Sequence, residues 1–102
     1  MSRYRLTTPA KLDLTRILHY LIENAGASIA LRTEFEMREA FRSLSANPGL
    51  GHRREDLTSH DFLFFLVSPY FVIYRVEDEG VVIHALIHSA RDTKAILRRR
   101  LV

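Results

Sequence analysis

Apolar residues in this chain change their period near residue 62, and that change separates a helical half from a strand half. In the first half, Leu14, Ile17, Leu18, Leu21, Ile22 and Ala25 recur at helical spacing. Thr8-Pro9 opens this helix with a hydroxyl cap and a proline at the first helical position, and Gly26 ends it. A second helix is predicted from Ser28 to about Ala46, with Ala30, Thr33, Met37, Ala40, Phe41 and Leu44 on one side. The connection between the two is so short that they must fold back as an antiparallel hairpin. Arg3 to Thr7 is a strand candidate ahead of them.

In the second half the period is two. Phe62 to Val67 is a short, wholly apolar run that fits a central strand, and Ser68-Pro69 turns the chain. Tyr70, Val72, Tyr74 and Val76 then alternate with Phe71, Ile73, Arg75 and Glu77. Asp78-Glu79-Gly80 supplies a hairpin turn, and Val81 to His88 pairs back as the last strand. Asp92 caps a final helix, Thr93 to Leu101, anchored by Ile96, Leu97 and Leu101. The expected order is β-α-α-β-β-β with a short C-terminal helix, an α+β chain whose residues 1–102 form one domain with a single core.

Two features of the second helix do not belong to its core stripe. Leu31 and Phe35 lie on the same side as Arg38 and Arg42, so they are either buried shoulders of the helix or an exposed ridge that meets a partner. Asn47-Pro48-Gly49-Leu50-Gly51 stops the helix and leads into a polar loop, His52 to Asp61.

Charge is unevenly placed. The net is +3, yet residues 1–90 carry 10 Lys/Arg against 11 Asp/Glu while residues 91–102 carry 5 against 1. A near-neutral body lacks the broad footprint of a duplex-binding protein, and the basic character belongs to the tail. Arg98-Arg99-Arg100 reads either as a solvated helix end favoured by the dipole or as a phosphate-binding or acidic-surface-binding patch. The chain has no Cys, which excludes disulfides and thiolate metal sites and suits a reducing cytoplasm. Its first residues lack the apolar stretch of a signal peptide, and Phe62 to Tyr74 is too short to span a bilayer, so a soluble, cytoplasmic protein without a membrane partner is expected.

Few residues suggest chemistry. His84 and His88, four apart on a strand, would stand roughly 13 Å apart on one face, too far to share a metal, so no metal and no cofactor are expected. His84 reads as a half-buried strand histidine with one satisfied nitrogen. His88 ends its strand before Ser89-Ala90-Arg91-Asp92, where Arg75, Arg53, Arg54 and Arg91 could join it in a small cationic site for phosphate or carboxylate. The structural reading of Arg91 is an ion-pair network with Asp92 and Glu77 that fixes the sheet end. There is no phosphate-binding glycine loop and no nucleophile elbow.

Several short patterns occur together: Arg5-Leu-Thr-Thr-Pro-Ala10 with Asp13-Leu14 and Ile17, Asn47-Pro48 before Leu50-Gly51 and a basic residue, Val67 to Val76 with Tyr74-Arg75-Val76, and His88-Ser-Ala-Arg-Asp92. In this order the chain resembles the ParE branch of the RelE/ParE toxin superfamily, and the resemblance covers almost all of it. It implies a RelE/ParE-like fold, in which a strand and helical hairpin pack on a twisted antiparallel sheet. It also implies the toxin of a bacterial or plasmid-stabilising type II toxin–antitoxin pair, neutralised by a cognate, ParD-like antitoxin in a hetero-oligomer, with DNA gyrase as target. On that reading no catalytic residue is expected, Arg91, Arg98, Arg99 and Arg100 meet the target, and Leu31, Phe35, Arg38 and Arg42 meet the antitoxin. RelE-like members are instead ribosome-dependent mRNA endonucleases; here His88, Arg75, Arg53 and Arg54 would serve. The chain departs from the ParE pattern at Ser68-Pro69, where Gly-Arg is common, and at Leu63-Phe64, where an Arg is frequent. Both departures remove positive charge, which leaves an attenuated, non-toxic interaction module as a third reading.

Overall fold

The computed structural model describes residues 3–78 and 80–100. Its elements are β1 (Tyr4–Leu6), α1 (Thr8–Ala25), α2 (Ala27–Ala46), a 3-10 turn at Pro48–Leu50, β2 (Leu63–Val67), β3 (Tyr70–Glu77), β4 (Gly80–His88) and α3 (Thr93–Arg100). The expected α+β order is therefore present, and Leu101 lies outside the described residues. One sheet has the order β1-β4-β3-β2, with β1 parallel to β4 and the remaining pairs antiparallel. The helical hairpin covers one face, and α3 with the 52–62 loop covers the other.

Local chemistry sets the ends of the helices. The cap of α1 is Thr7, one residue earlier than predicted, whose hydroxyl accepts the Ala10 N–H at 3.2 Å. Gly26 closes α1 and its carbonyl accepts the Ala30 N–H that opens α2. Asp92 caps α3 as expected, its carboxylate accepting the Ala95 N–H at 3.1 Å.

The face toward the hairpin holds the larger core, in which Met37, Phe41 and Leu44 of α2 meet Val72, Tyr74, Val81 and Ile83 of the sheet. Each such fully buried side chain contributes on the order of 1.5–3 kcal/mol. The other face holds a smaller core of Phe62, Phe64, Ile73, Ala85 and Ile87 under Ile96 and Leu97 of α3. Ile22 does not join either, contrary to its place in the predicted stripe. The buried face of α1 ends at Leu21, and the next residue, ~100° further round, turns out and is 52% exposed.

Two expectations about the sheet are corrected. β2 is an edge strand, not a central one: its apolar run feeds both cores, with Leu63 and Phe65 on one face and Phe64 on the other, while Leu66 is exposed. Phe64 exchanges two backbone hydrogen bonds with His52, which covers part of that edge. In β4, Ile73 pairs with Ala85 but Tyr74 pairs with Ile83, so His84 is an extra, bulged residue. The bulge puts His84 on the α3 face against Phe62, and His88 on the hairpin face against Tyr70. The two histidines therefore lie on opposite faces rather than on one.

Glycines are required at two close approaches. A Cβ on Gly51 would fall 2.5 Å from the Tyr74 hydroxyl, and one on Gly80, at φ 132°, would fall 2.3 Å from the Arg3 carbonyl oxygen. The first lets the Tyr74 hydroxyl accept the Gly51 N–H and donate to the Pro48 carbonyl, both at 2.8 Å. The second lets Arg3 accept the Val81 N–H and so start the β1–β4 pairing.

Candidate protein interface

Helix α2 presents an exposed apolar stripe. Leu31 and Phe35 are 66% and 64% exposed, one turn apart, so they are not buried shoulders of the helix. Arg38 continues the stripe, pairing with Glu34 at 2.9 Å, and Arg42 ends it, pairing with Glu39 at 2.8 Å. The Glu34 carboxylate raises the Arg38 pKa, chiefly by hydrogen bonding to it. These pairs are solvent-exposed and worth little to the fold, so the ridge is a surface, not a structural element.

A second feature was not anticipated. Between α1, the start of α2 and the His88 end of the sheet runs a groove of about 610 Å³, walled by Ile17, Tyr20, Tyr70 and Leu86 and rimmed by Arg16 and Arg91. Tyr20 is 63% exposed, while Tyr70 is buried, which raises its phenol pKa, and packs edge-on against His88 at 5.3 Å. Tyr20 lies just off the helical stripe, and that spacing was the one available signal. The part played by Tyr70 depends on where the hairpin stops covering the sheet, which spacing does not encode.

The histidine and arginines that would cleave RNA are not brought together. Arg75 pairs in register with Val82, and His88 with Tyr70, so they stand roughly 17 Å apart along the sheet and on opposite faces. Arg75 lies over the Phe62 ring at 4.4 Å and donates to the Asp61 carbonyl, Arg53 pairs with Asp61 and Arg54 with Asp56, each at 2.9 Å. His88 Nδ1 accepts the Ala90 N–H within its own turn. The Arg91–Asp92–Glu77 network does not form either. Glu77 lies at the far end of the ladder, near Arg5 at 3.8 Å and His84 at 3.7 Å, and Asp92 is occupied in capping α3. His84 also departs from expectation, because its buried Nε2 makes no hydrogen bond. Burial first, and then the Arg75 charge, lower its pKa.

The basic tail divides. Arg98 and Arg99 are exposed at the negative end of α3. Arg100 turns inward, donating to Asp13 Oδ2 at 2.7 Å and to the His84 carbonyl at 2.8 Å. The expectation of three outward arginines fails at Arg100, because the edge of β4 beside it offers a carbonyl and α1 a carboxylate. Among the described residues there is no cluster of three or more His, Asp or Glu side chains that could hold a metal, and no helix is long and apolar enough to cross a membrane.

The sequence model of the family described as ParE toxin of type II toxin-antitoxin system, parDE, matches residues 4–93. Toxin ParE3 of Caulobacter vibrioides is 33% identical over 100 residues, which are 98% of this chain and 99% of that one. A solved chain described as the chromosomal ParDE TA system from P. aeruginosa superposes with a TM-score of 0.71 at 22% identity, over 86% of this chain and 96% of that chain. With its family pattern running from β1 to the start of α3 and a relative one-third identical along its whole length, this chain belongs to the ParE toxins of type II toxin–antitoxin systems.

Proposed function

We propose that this ParE-type toxin inhibits DNA gyrase by protein–protein binding in the cytoplasm, and that a cognate ParD-like antitoxin neutralises it by binding the α2 ridge. Residues 1–102 act as one toxin domain. The observation that carries the reading is the dispersal of His88, Arg75, Arg53 and Arg54 over two faces of the sheet and a loop, each already in contact within the chain. General acid–base cleavage of RNA needs such groups to converge within hydrogen-bond reach of one phosphodiester. Target contact then falls to the exposed cations Arg91, Arg98 and Arg99, with Arg100 in a structural role. Leu31 and Phe35, flanked by Arg38 and Arg42, supply the apolar anchor and charged rim that interfaces favour.

Induction without antitoxin, followed by parallel assays of gyrase supercoiling and primer extension on cellular mRNA, tests the reading. The expected result is blocked supercoiling with intact transcripts. Discrete transcript cleavages that depend on translating ribosomes and vanish in His88→Ala would assign the chain to mRNA cleavage instead. Normal growth with both activities absent would make it an interaction module without toxicity.

A further inference from the structure

Arg100 ties the last turn of α3 to α1 and β4, through the Asp13 carboxylate and the His84 carbonyl. Beside this tie a cleft of about 220 Å³ opens between Phe62, Ile73, Ala85 and Leu97, with Arg100 at its rim and Pro9 at its mouth. The four wall residues are buried, and Pro9 is exposed. Ala85 is the smallest side chain that β4 gives to the smaller core, and the residues around it leave the space above it unfilled. The imidazole of His84, edge-on to Phe62 at 5.0 Å, also lines the cleft.

At neutral pH one ionised group lines this cleft. It is Arg100, and Asp13 balances its charge at 2.7 Å. His84 stays neutral, because burial and then the Arg75 charge lower its pKa. An ionised ligand would therefore give up its hydration for a site that offers no net counter-charge. The walls suit an apolar body. Arg100 directs hydrogens from two of its nitrogens to Asp13 and the His84 carbonyl, and its remaining N–H donors have no acceptor among the described residues. They suit one oxygen acceptor. An apolar cavity of about 150 Å³ takes up benzene, so the space here holds one aromatic ring with a small substituent.

We propose that this cleft binds a small uncharged aromatic molecule with a single hydroxyl, its ring against Phe62, Ala85 and Leu97 and its oxygen accepting from Arg100. Such a molecule touches the first turn of α1, the sheet and α3 at once. Binding therefore fastens α3 to the body of the protein and holds the exposed Arg98 and Arg99 in place. The site is independent of the α2 ridge and of the gyrase reading.

The test titrates phenol into the full chain and follows it by NMR. Saturable binding is expected, with a Kd of about 1 mM or tighter, contacts from the ring protons to the Ala85 and Leu97 methyls, and slower exchange of the Arg98 and Arg99 amides. Toluene, which lacks the oxygen, and benzoate, which adds a charge, are each expected to bind about tenfold more weakly. Ala85→Val places two further methyl groups in the cleft with a residue that suits a strand, and should weaken phenol binding about tenfold. If that variant does not fold, the wild-type ring contacts decide. Absence of saturation, or ring contacts that miss Ala85 and Leu97, would overturn the site. Toluene binding as tightly as phenol would remove the part given to Arg100, and benzoate binding as tightly would overturn the uncharged class of ligand.

Discussion

Asp13 and Arg100, 87 residues apart in the chain, meet at 2.7 Å and together satisfy two backbone groups of a strand to which neither belongs. Asp13 takes the Leu86 N–H and Arg100 the His84 carbonyl, the groups that β1 would have paired had it been longer. Their side chains are 14% and 23% exposed. Arg100→Gln should therefore cost about 1–3 kcal/mol, less than a fully buried pair because solvent still screens it. Arg100→Lys should recover only part of this, since one ammonium cannot reproduce the two-nitrogen fork. Urea denaturation of Arg100→Lys checks the fork, and that of Arg100→Gln, Asp13→Asn and their double variant, read as a double-mutant cycle, measures the coupling.

Arg98 and Arg99 should behave in the opposite way. Their replacement by Gln keeps helix propensity and removes charge at exposed sites, so stability should change by no more than about 0.5 kcal/mol. Gyrase binding should weaken and lose part of its salt dependence, which titration at low and high salt would detect. Unchanged binding would leave these arginines as a solvated helix end.

Phe35→Ala should separate folding from partner recognition. The side chain is 64% exposed, so the melting temperature should hardly move, whereas antitoxin affinity should fall by at least ~1 kcal/mol. Calorimetric titration with the antitoxin beside a thermal melt reads both. A sharp fall in melting temperature would mean that the residue supports the fold.

The Tyr74 hydroxyl ties the 48–51 turn to the centre of the larger core. Tyr74→Phe leaves the Gly51 N–H buried without an acceptor and should cost about 1–3 kcal/mol. Gly51→Ala should destabilise the protein in either background, because the added Cβ would lie 2.7 Å from the ring carbon Cε1, which phenylalanine retains. Chemical denaturation of the two single variants and the double variant decides this.

His84 makes stability depend on pH in a definite direction. Its pKa in the fold lies below the ordinary 6.5, so the unfolded chain binds the proton more readily. Stability should fall as pH drops from 6.5 toward the folded value and level off below it. His84→Gln should flatten that segment of the curve, as seen in denaturation midpoints collected between about pH 7 and 4.

What could be read from the chain followed local rules. Helix capping by Asp92 and the alternation along β3 each depend on residues within a few positions of one another. What could not be read depends on distant pairings. Arg100 looked like surface charge because nothing near it in sequence reveals Asp13. The run at β2 looked central because two cores share it, and an apolar run carries no mark of which side lacks a neighbour. The groove at Tyr20 and Tyr70 exists only where the hairpin and the sheet diverge.

The extra residue at His84 sets a reading frame for the end of the sheet. Upstream of it, odd-numbered positions of β4 serve the hairpin side; downstream, even-numbered ones do. Deleting that one residue would restore plain one-to-one pairing from Ile83 to His88 and leave Leu86 and His88 on the hairpin side and Ile87 on the α3 side. What the extra residue adds lies outside the ladder: its carbonyl receives Arg100 and its ring rests on Phe62, so the irregularity is the point at which the sheet is fastened to the helix that closes it.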